Sequence, residues 1–581
     1  MRLISWAFTA VAFAAIAAAT TLGDVCTVSR VQAALPSDDF YNGITIDPSS
    51  VSASPVYNTS VSGETFFPDA TFDYCSVSFA YTHNGRDDQV LLQYWLPAPE
   101  NFQNRFLATG GGGLAITSGN GSLPGGIIYG AVAGTTDGGF GSFSTNSDAV
   151  FLLANGSVNW ESVFMFGYQG IHEMSVLGKE LTVNFYNVTS KLYSYYQGCS
   201  EGGREGWSQV QRFADEWDGA AVGAPAFRFS FQQVQHLYSD VVEQTLDYYP
   251  PPCELELIVN ETIAFCDPLD GKTDGVVART DLCKLKFNLQ SVLGKPYYCA
   301  ASTSSAGPPG SAAVSLPEQN GTVTAKGIQV ASTIIDGLHD LKGRRVYISY
   351  QPAATFGDAQ TTWDNETESW GLSVSGIGAE YIARYLNLQN SSTLSNLDNV
   401  TYDTLKAWIY EGWQTYQDTL ETTWPDLTPF NEAGGKVIHF HGESDNSIPT
   451  ASSVRYWDSV RRIMYPRMSF TDSAAALNKW YKLFLIPGAA HCGPNSLQPN
   501  GPFPQTSLQV LIDWVEKGVE PVTLNGTVLQ GENIGQNQQI CGWPLRPLWK
   551  SNSQVSPDCV YDQSSIDTWI YDFDAFKMPV Y

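Results

Sequence analysis

Gly198-Cys199-Ser200-Glu201-Gly202 sets a serine between two glycines, and its flanks carry as much weight as the pattern itself. Lys191 to Gln197, rich in Tyr and Leu, reads as a strand, and a helix-like stretch runs on to Trp217. Strand, tight glycine turn and helix together make a nucleophile elbow. The turn lifts the serine oxygen above a sheet, and the helix N-terminus stabilises developing negative charge. The glycines are needed because Cβ atoms would clash in so tight a turn. Ser200 is therefore the candidate nucleophile.

A neutral serine is a weak nucleophile and needs an adjacent base. In α/β-hydrolases the partners follow in the order serine, acid, histidine. Late in the chain stand His439, His441 and His491. His491 lies in Pro487-Gly488-Ala489-Ala490-His491-Cys492-Gly493, directly after an apolar strand, Leu483 to Ile486. Catalytic residues of parallel sheets collect in such loops, so His491 is the candidate base. His439 and His441 alternate along the strand that begins at Lys436, and strand packing with loop support is the role expected of them. His441-Gly442-Glu443-Ser444-Asp445 ends that strand in a polar turn. Asp445 is the candidate orienting acid and Glu443 its rival, since either carboxylate can hold an imidazole. The tetrahedral oxyanion needs backbone N–H donors: Glu201 after the nucleophile, and Gly112 in the run Thr109-Gly110-Gly111-Gly112-Gly113.

Cys199 precedes Ser200 and Cys492 follows His491. If serine and histidine share a hydrogen bond, these cysteines come within bridging distance. A Cys199–Cys492 disulfide would hold the pair in register; the alternative is that each pairs elsewhere among ten cysteines. None of the ten forms a CxxC zinc pattern, and the plain reading is five disulfides.

Asp267, Asp270 and Asp274 fall within eight residues, with Gly271 and Gly275 letting the loop curl. Packed carboxylates repel unless a cation neutralises them, and oxygen-only ligands suit Ca²⁺. Backbone carbonyls of Lys272 and Val276 would complete a structural Ca²⁺ shell. A solvated acidic turn is the other reading.

These residues need a sheet to hold them. Val77 to Thr135 reads as strands and turns, including Val90–Leu96 and Arg105–Ala108. Helical spacing follows from Val163 to Leu177, then the Lys191 strand and a short one at Ala220–Val222. Strands alternating with helices imply a parallel sheet. After Pro225 the character changes, with Pro250-Pro251-Pro252, several cysteines and the aspartate loop. The α/β pattern returns near Gly434. The expected organisation is an α/β-hydrolase core in two parts, 20–225 and 426–581, around an inserted lid domain at 226–425.

Arg2 followed by an apolar run to Ala19 reads as a signal peptide over 1–19. Ten Asn-x-Ser/Thr sequons are candidate glycosylation sites: Asn58, Asn120, Asn155, Asn187, Asn260, Asn320, Asn365, Asn390, Asn399 and Asn525. Secretion to an oxidising, extracellular compartment fits both them and the even cysteine count. The formal net charge of -27 argues against nucleic acid or an anionic membrane as partner.

Gly198-Cys199-Ser200-Glu201-Gly202-Gly203-Arg204-Glu205-Gly206, His441-Gly442-Glu443-Ser444-Asp445 and Pro487 to Gly493 together resemble the tannase/feruloyl esterase family, most closely its fungal tannase branch. Tyr248-Tyr249-Pro250-Pro251-Pro252-Cys253 and the Cys266 to Val276 loop look like that family too, and the resemblance covers nearly the whole mature chain. It implies a Ser200, Asp445, His491 triad, the Cys199–Cys492 bridge, and a lid Ca²⁺ held by Asp267, Asp270 and Asp274 with the Lys272 and Val276 carbonyls. It also implies Cys26–Cys75, Cys266–Cys283 and Cys541–Cys559 bridges, which leaves Cys253 with Cys299. The activity implied is hydrolysis of galloyl ester and depside bonds of hydrolysable tannins, a polyphenol ester substrate, with the lid reading the ring hydroxyls. A feruloyl or chlorogenate esterase keeps the chemistry and changes the acyl group. A non-catalytic binding protein on a hydrolase scaffold is the alternative of another class.

Overall fold

The computed structural model describes residues 21–37, 39–304, 314–552 and 554–581. The expected signal peptide, 1–19, lies outside the described residues. Nine strands make the main sheet: β1 (Ile44–Val61), β2 (Ala70–His83), β3 (Val90–Pro97), β4 (Arg105–Thr109), β5 (Ala131–Thr136), β6 (Tyr193–Cys199), β7 (Gly219–Gly223), β8 (Lys436–Gly442) and β9 (Tyr481–Ile486). Their spatial order is β1-β2-β3-β5-β4-β6-β7-β8-β9.

The six strands from β5 across to β9 run parallel. They are short and buried on both faces, as helices on either side require. Adjacent residues alternate between two cores. Tyr195 joins Leu107, Ala221, Ile438 and Phe484 on one face, while Tyr196 joins Phe106, Ala220, Val437 and Leu483 on the other. A helix at Ser507–Lys517 covers the first face, its Leu511 filling the space above Gly219. A helix at Gly170–Tyr186 covers the second; there Gly178 lets Tyr94 and Phe106 approach so closely that a Cβ would stand 2.4 Å from the Tyr94 ring. Each large apolar side chain fully buried in these layers contributes about 1.5–3 kcal/mol.

The expectation of a parallel sheet holds for its centre and fails at one edge. β1, β2 and β3 form an antiparallel flank joined through β3 to β5. β1 begins well before the Val77 boundary. Its residues are largely exposed and polar, so hydrophobic alternation does not mark it, and pairing with β2 defines it. The strand read at Lys191 starts at Tyr193 and runs to Cys199. The helix read to Trp217 ends at Arg212, followed by a 3₁₀ turn at Ala214–Glu216.

Between Gly223 and Lys436, no strand among the described residues joins this sheet. The intervening segment is not a detached body. Its Phe231, Tyr347, Tyr381 and Trp413 belong to the same apolar core as Phe106 and Val222. Five disulfides form: Cys26–Cys75, Cys199–Cys492, Cys253–Cys299, Cys266–Cys283 and Cys541–Cys559. No helix of the described residues is long and apolar enough to cross a membrane. All ten sequon asparagines except Asn525 are exposed; Asn525 is half-buried on a strand, bonded to Asn537 and Gln539.

Candidate active site

Ser200 sits at the C-terminal end of β6, before a helix at Glu201–Arg212, with φ 64° and ψ −122°. A non-glycine residue at positive φ is strained, and such strain collects where function requires a sharp turn. The neighbouring glycines leave no choice of residue. A Cβ on Gly198 would stand 2.6 Å from the Gly202 carbonyl, and one on Gly203 would stand 2.4 Å from the Gly223 carbonyl. The Ser200 N–H donates to the Gly223 carbonyl at 3.0 Å, tying the turn to β7.

β9 delivers the histidine. Its loop folds back on the end of β8, where the Ser444 N–H donates to the Ala489 carbonyl at 2.9 Å. His491 Nε2 lies 2.8 Å from Ser200 Oγ, and His491 Nδ1 lies 2.8 Å from Asp445 Oδ2. The structure thus brings Ser200, His491 and Asp445 into one hydrogen-bonded line. Cys199 and Cys492 bridge beside it, with Cα atoms 6.0 Å apart.

Asp445 is fully buried. Burial alone would raise its carboxyl. The charge of His491 and hydrogen bonds from His441 and His491 outweigh that and hold it well below the usual carboxylate range. Its other oxygen accepts the Ser447 and Ile448 backbone N–H groups, each at 2.8 Å. Glu443, the rival, is spent elsewhere. It accepts from Thr280 Oγ1 at 2.6 Å and from the Arg546 guanidinium at 2.7 Å. Arg546 also meets Asp281, which meets Arg279, so Glu443 ties the inserted segment to the core.

Behind Asp445 the other two histidines form a buried chain that residue types alone did not reveal. Tyr481 Oη meets His439 Nδ1 at 2.8 Å, and His439 Nε2 meets Ser453 Oγ at 2.8 Å. Ser453 Oγ meets His441 Nδ1 at 2.7 Å, and His441 Nε2 reaches Asp445 Oδ2 at 3.1 Å. Burial, with His441 beside it, holds the His439 imidazole far below its ordinary value, and therefore neutral.

Gly112 lines the pocket beside Ser200, and Glu201 is the first residue of its helix, where backbone N–H groups lack intrahelical partners. The Glu201 side chain turns inward onto Arg204, whose guanidinium also donates to the Gly167 and Phe166 carbonyls at 2.9 Å. Glu205 holds the glycine run in place by accepting the Gly111 N–H at 2.9 Å. Burial, then the charge of Glu201, pushes the Glu205 carboxyl well above its ordinary value. The signal for both residues was present as two carboxylates and an arginine on a glycine-rich helix turn, where no solvated role explains them.

The pocket has a volume of about 440 Å³ and is lined by Glu64, Phe66, Phe67, the Thr109–Gly113 run, Gln197, Ser200 and His491 among others. The residues that line it come from the core segments rather than from 226–425.

The aspartate loop lines no part of this pocket, but its Val276 packs against Gly488 in the loop that carries His491. Asp267 accepts the Asp274, Gly275 and Val276 N–H groups, and Asp270 accepts that of Lys272. Lys272 Nζ meets Asp274 Oδ2 at 2.7 Å. Burial, with Asp274 and Asp267 nearby, pushes the Asp270 carboxyl up to about 7. The donor chemistry is that of a hard cation site. In this arrangement no three His, Cys, Asp or Glu side chains among the described residues converge on one point.

The chain matches the family described as tannase and feruloyl esterase over residues 75–566. It is 52% identical over 588 residues to a tannase of Aspergillus oryzae, covering 98% of each chain. The solved tannin acyl hydrolase from Aspergillus niger superposes with a TM-score of 0.93 at 63% identity, covering 97% of this chain and 100% of that one. Feruloyl esterase B from Aspergillus oryzae superposes with a TM-score of 0.68 at 26% identity, covering 90% of this chain and 97% of that one. On this match the chain belongs to the tannase and feruloyl esterase family.

Proposed function

We propose that this protein is a serine carboxylesterase that hydrolyses galloyl ester and depside bonds of hydrolysable tannins and releases gallic acid. The observation that carries the chemistry is the line from Asp445 through His491 to Ser200, with both bonds at 2.8 Å. The identities of 52% and 63% to proteins named for tannin hydrolysis, against 26% to a feruloyl esterase, favour the galloyl acyl group.

Each residue has one task. Ser200 Oγ attacks the ester carbonyl carbon while His491 Nε2 takes its proton. Asp445 fixes the imidazole tautomer and stabilises the imidazolium. The N–H groups of Glu201 and Gly112 receive the oxyanion, with Glu205 and Arg204 keeping those donors in place. Collapse breaks the bond to the leaving oxygen, which takes the proton from His491 and departs as an alcohol or phenol. Water then gives a proton to His491 and attacks the galloyl-Ser200 ester. Ser200 recovers its proton as gallic acid leaves.

We infer a structural Ca²⁺ in the aspartate loop, with Asp267, Asp270 and Asp274 as carboxylate ligands and the Lys272 and Val276 carbonyls beside them; binding would displace Lys272 Nζ from Asp274 and draw together carboxylates that do not converge in this arrangement. Support comes from the oxygen-only donor set and the cost of burying Asp267 and Asp270 beside the half-buried Asp274. The ion would neutralise the loop and play no part in the chemistry. Purified protein should carry Ca²⁺ by elemental analysis and lose thermal stability in a chelator. The protein is secreted and glycosylated, a reading supported by five disulfides and nine exposed sequon asparagines.

The test of function is hydrolysis of methyl gallate beside methyl ferulate, with Ser200→Ala as control. A gallate preference lost in the variant supports the proposal. A ferulate preference keeps the mechanism and overturns the substrate; no turnover of either favours the binding-protein reading.

A further inference from the structure

We infer that the pocket formed by the β1–β2 connection is the acyl-ring site, and that Glu64 and Gln197 read the ring hydroxyls. The inference rests on the galloyl reading above and moves specificity from the inserted segment to the antiparallel edge of the sheet.

The pocket of about 440 Å³ opens directly on Ser200 and the glycine run, and lies within the roughly 300–1,000 Å³ range of small-molecule sites. Phe66 and Phe67 line it as apolar walls. Phe67 is buried and seated over Gly125, where a Cβ would be 3.1 Å from its ring. Phe66 packs edge-on against Phe503, with ring centroids 5.8 Å apart. These rings are held by the core and offer fixed aromatic faces to a flat aryl group.

Polar groups complete the lining. Gln197 stands on β6, three residues before the nucleophile. Its Nε2 makes only a long bond, 3.4 Å, to the Phe66 carbonyl. Thr109 Oγ1 and Ser122 Oγ pair at 2.9 Å along the same wall. Glu64 is exposed, and its backbone carbonyl is pinned by Gln505 Nε2 at 2.6 Å. The Glu64 side chain lines the pocket. A carboxylate accepts hydrogen bonds from two adjacent phenolic hydroxyls, and an amide adds an acceptor and donors. A benzoyl ring bound straight to the ester carbonyl, with hydroxyls along its far edge, matches this chemistry. A feruloyl ester carries a two-carbon spacer and a methoxy group that cannot donate, and every hydroxycinnamoyl ester carries the spacer. The leaving group must present its oxygen to His491 and continue toward solvent, so the walled side falls to the acyl ring.

The test is the ratio of kcat/KM for methyl gallate to that for methyl benzoate, which lacks the hydroxyls, in wild type, Glu64→Gln and Gln197→Met. The ratio is expected to fall about tenfold or more in Glu64→Gln, the size of a lost charge-assisted hydrogen bond, and to fall in Gln197→Met as well. Misfolding lowers both rates together, so gallate and benzoate affinities are also measured by calorimetry on Ser200→Ala protein with and without each substitution. A kinetic ratio and a relative gallate affinity both equal to the parent's in both variants overturn the inference. Wild type that turns over ferulate but not gallate would instead overturn the galloyl reading beneath it.

Discussion

His441 Nε2 lies 3.1 Å from Asp445 Oδ2, the same oxygen that holds His491 Nδ1 at 2.8 Å. The acid therefore sits between two imidazoles, one facing Ser200 and one anchored through Ser453 to His439. The buried chain fixes the carboxylate from behind, which makes His441 a positioning residue. His441→Leu should lower kcat about 10²-fold with KM little changed, the scale expected when a catalytic group is misplaced by about 1 Å. His441→Gln, which keeps a donor near the Nε2 position, should recover much of that loss. Equal losses in both variants would mean that packing, not the bond to Asp445, is what His441 supplies.

Asp445 and Glu443 stand two residues apart, and the structure gives them separate work. Asp445→Asn should cost about 10⁴-fold in kcat, because the wrong imidazole tautomer is then held. Glu443→Ala should leave the buried Arg546 with Asp281 as its remaining carboxylate and cost up to about 3 kcal/mol of stability. Steady-state kinetics paired with denaturant melts separates the two effects. A larger kcat loss in the Glu443 variant would reverse the assignment.

The Cys199–Cys492 bridge closes a loop of 293 residues beside the reacting atoms. Removing a bridge of that span costs up to about 5 kcal/mol. At 25 °C the Cys199→Ser/Cys492→Ser protein should keep its far-UV circular dichroism and still lose most of its kcat. Full activity with the bridge absent would show that register is kept by other contacts.

Two carboxyls on the helix Tyr238–Leu246 should tilt stability toward acid. Burial, opposed by the Ser375 N–H, raises Asp240 to about 8; burial, then Asp240, raises Glu243 to about 9. Unfolded, both titrate at ordinary carboxylate values, near 4. Between those values the folded chain holds more protons than the unfolded one, so stability falls as pH rises. Their contribution is full below about pH 4 and is lost as pH climbs through 8 and 9. Asp445 and Asp281, held low, act in the opposite sense toward acid. The melting temperature of Asp240→Asn/Glu243→Gln should gain on wild type steadily from pH 5 to pH 9. A constant difference across that range would contradict the argument.

The hydrogen-bonded line of Ser200, His491 and Asp445 was legible because each follows a strand that buries both faces. Tyr193–Cys199, Lys436–Gly442 and Tyr481–Ile486 are short apolar runs, and the glycines around Ser200 and His491 mark where those runs stop. The acid was legible only as a choice between Glu443 and Asp445, since distinguishing them required Arg546, distant in sequence. β1 was illegible because its exposed polar residues carry no alternation. The residues of the β1–β2 connection were missed with it: nothing local to Glu64, Phe66 or Phe67 says that they line a pocket with Ser200. The aspartate loop announced its carboxylates, but not the Lys272 side chain lying on Asp274.

The proposed chemistry passes through a galloyl-Ser200 intermediate. Its most direct test is rapid acid quenching of the enzyme during turnover of a galloyl ester, followed by peptide mass mapping. A galloyl adduct is expected on Ser200 and is absent in Ser200→Ala protein, which should also have no turnover. Turnover that persists in Ser200→Ala protein, or an adduct confined to another residue, would contradict it.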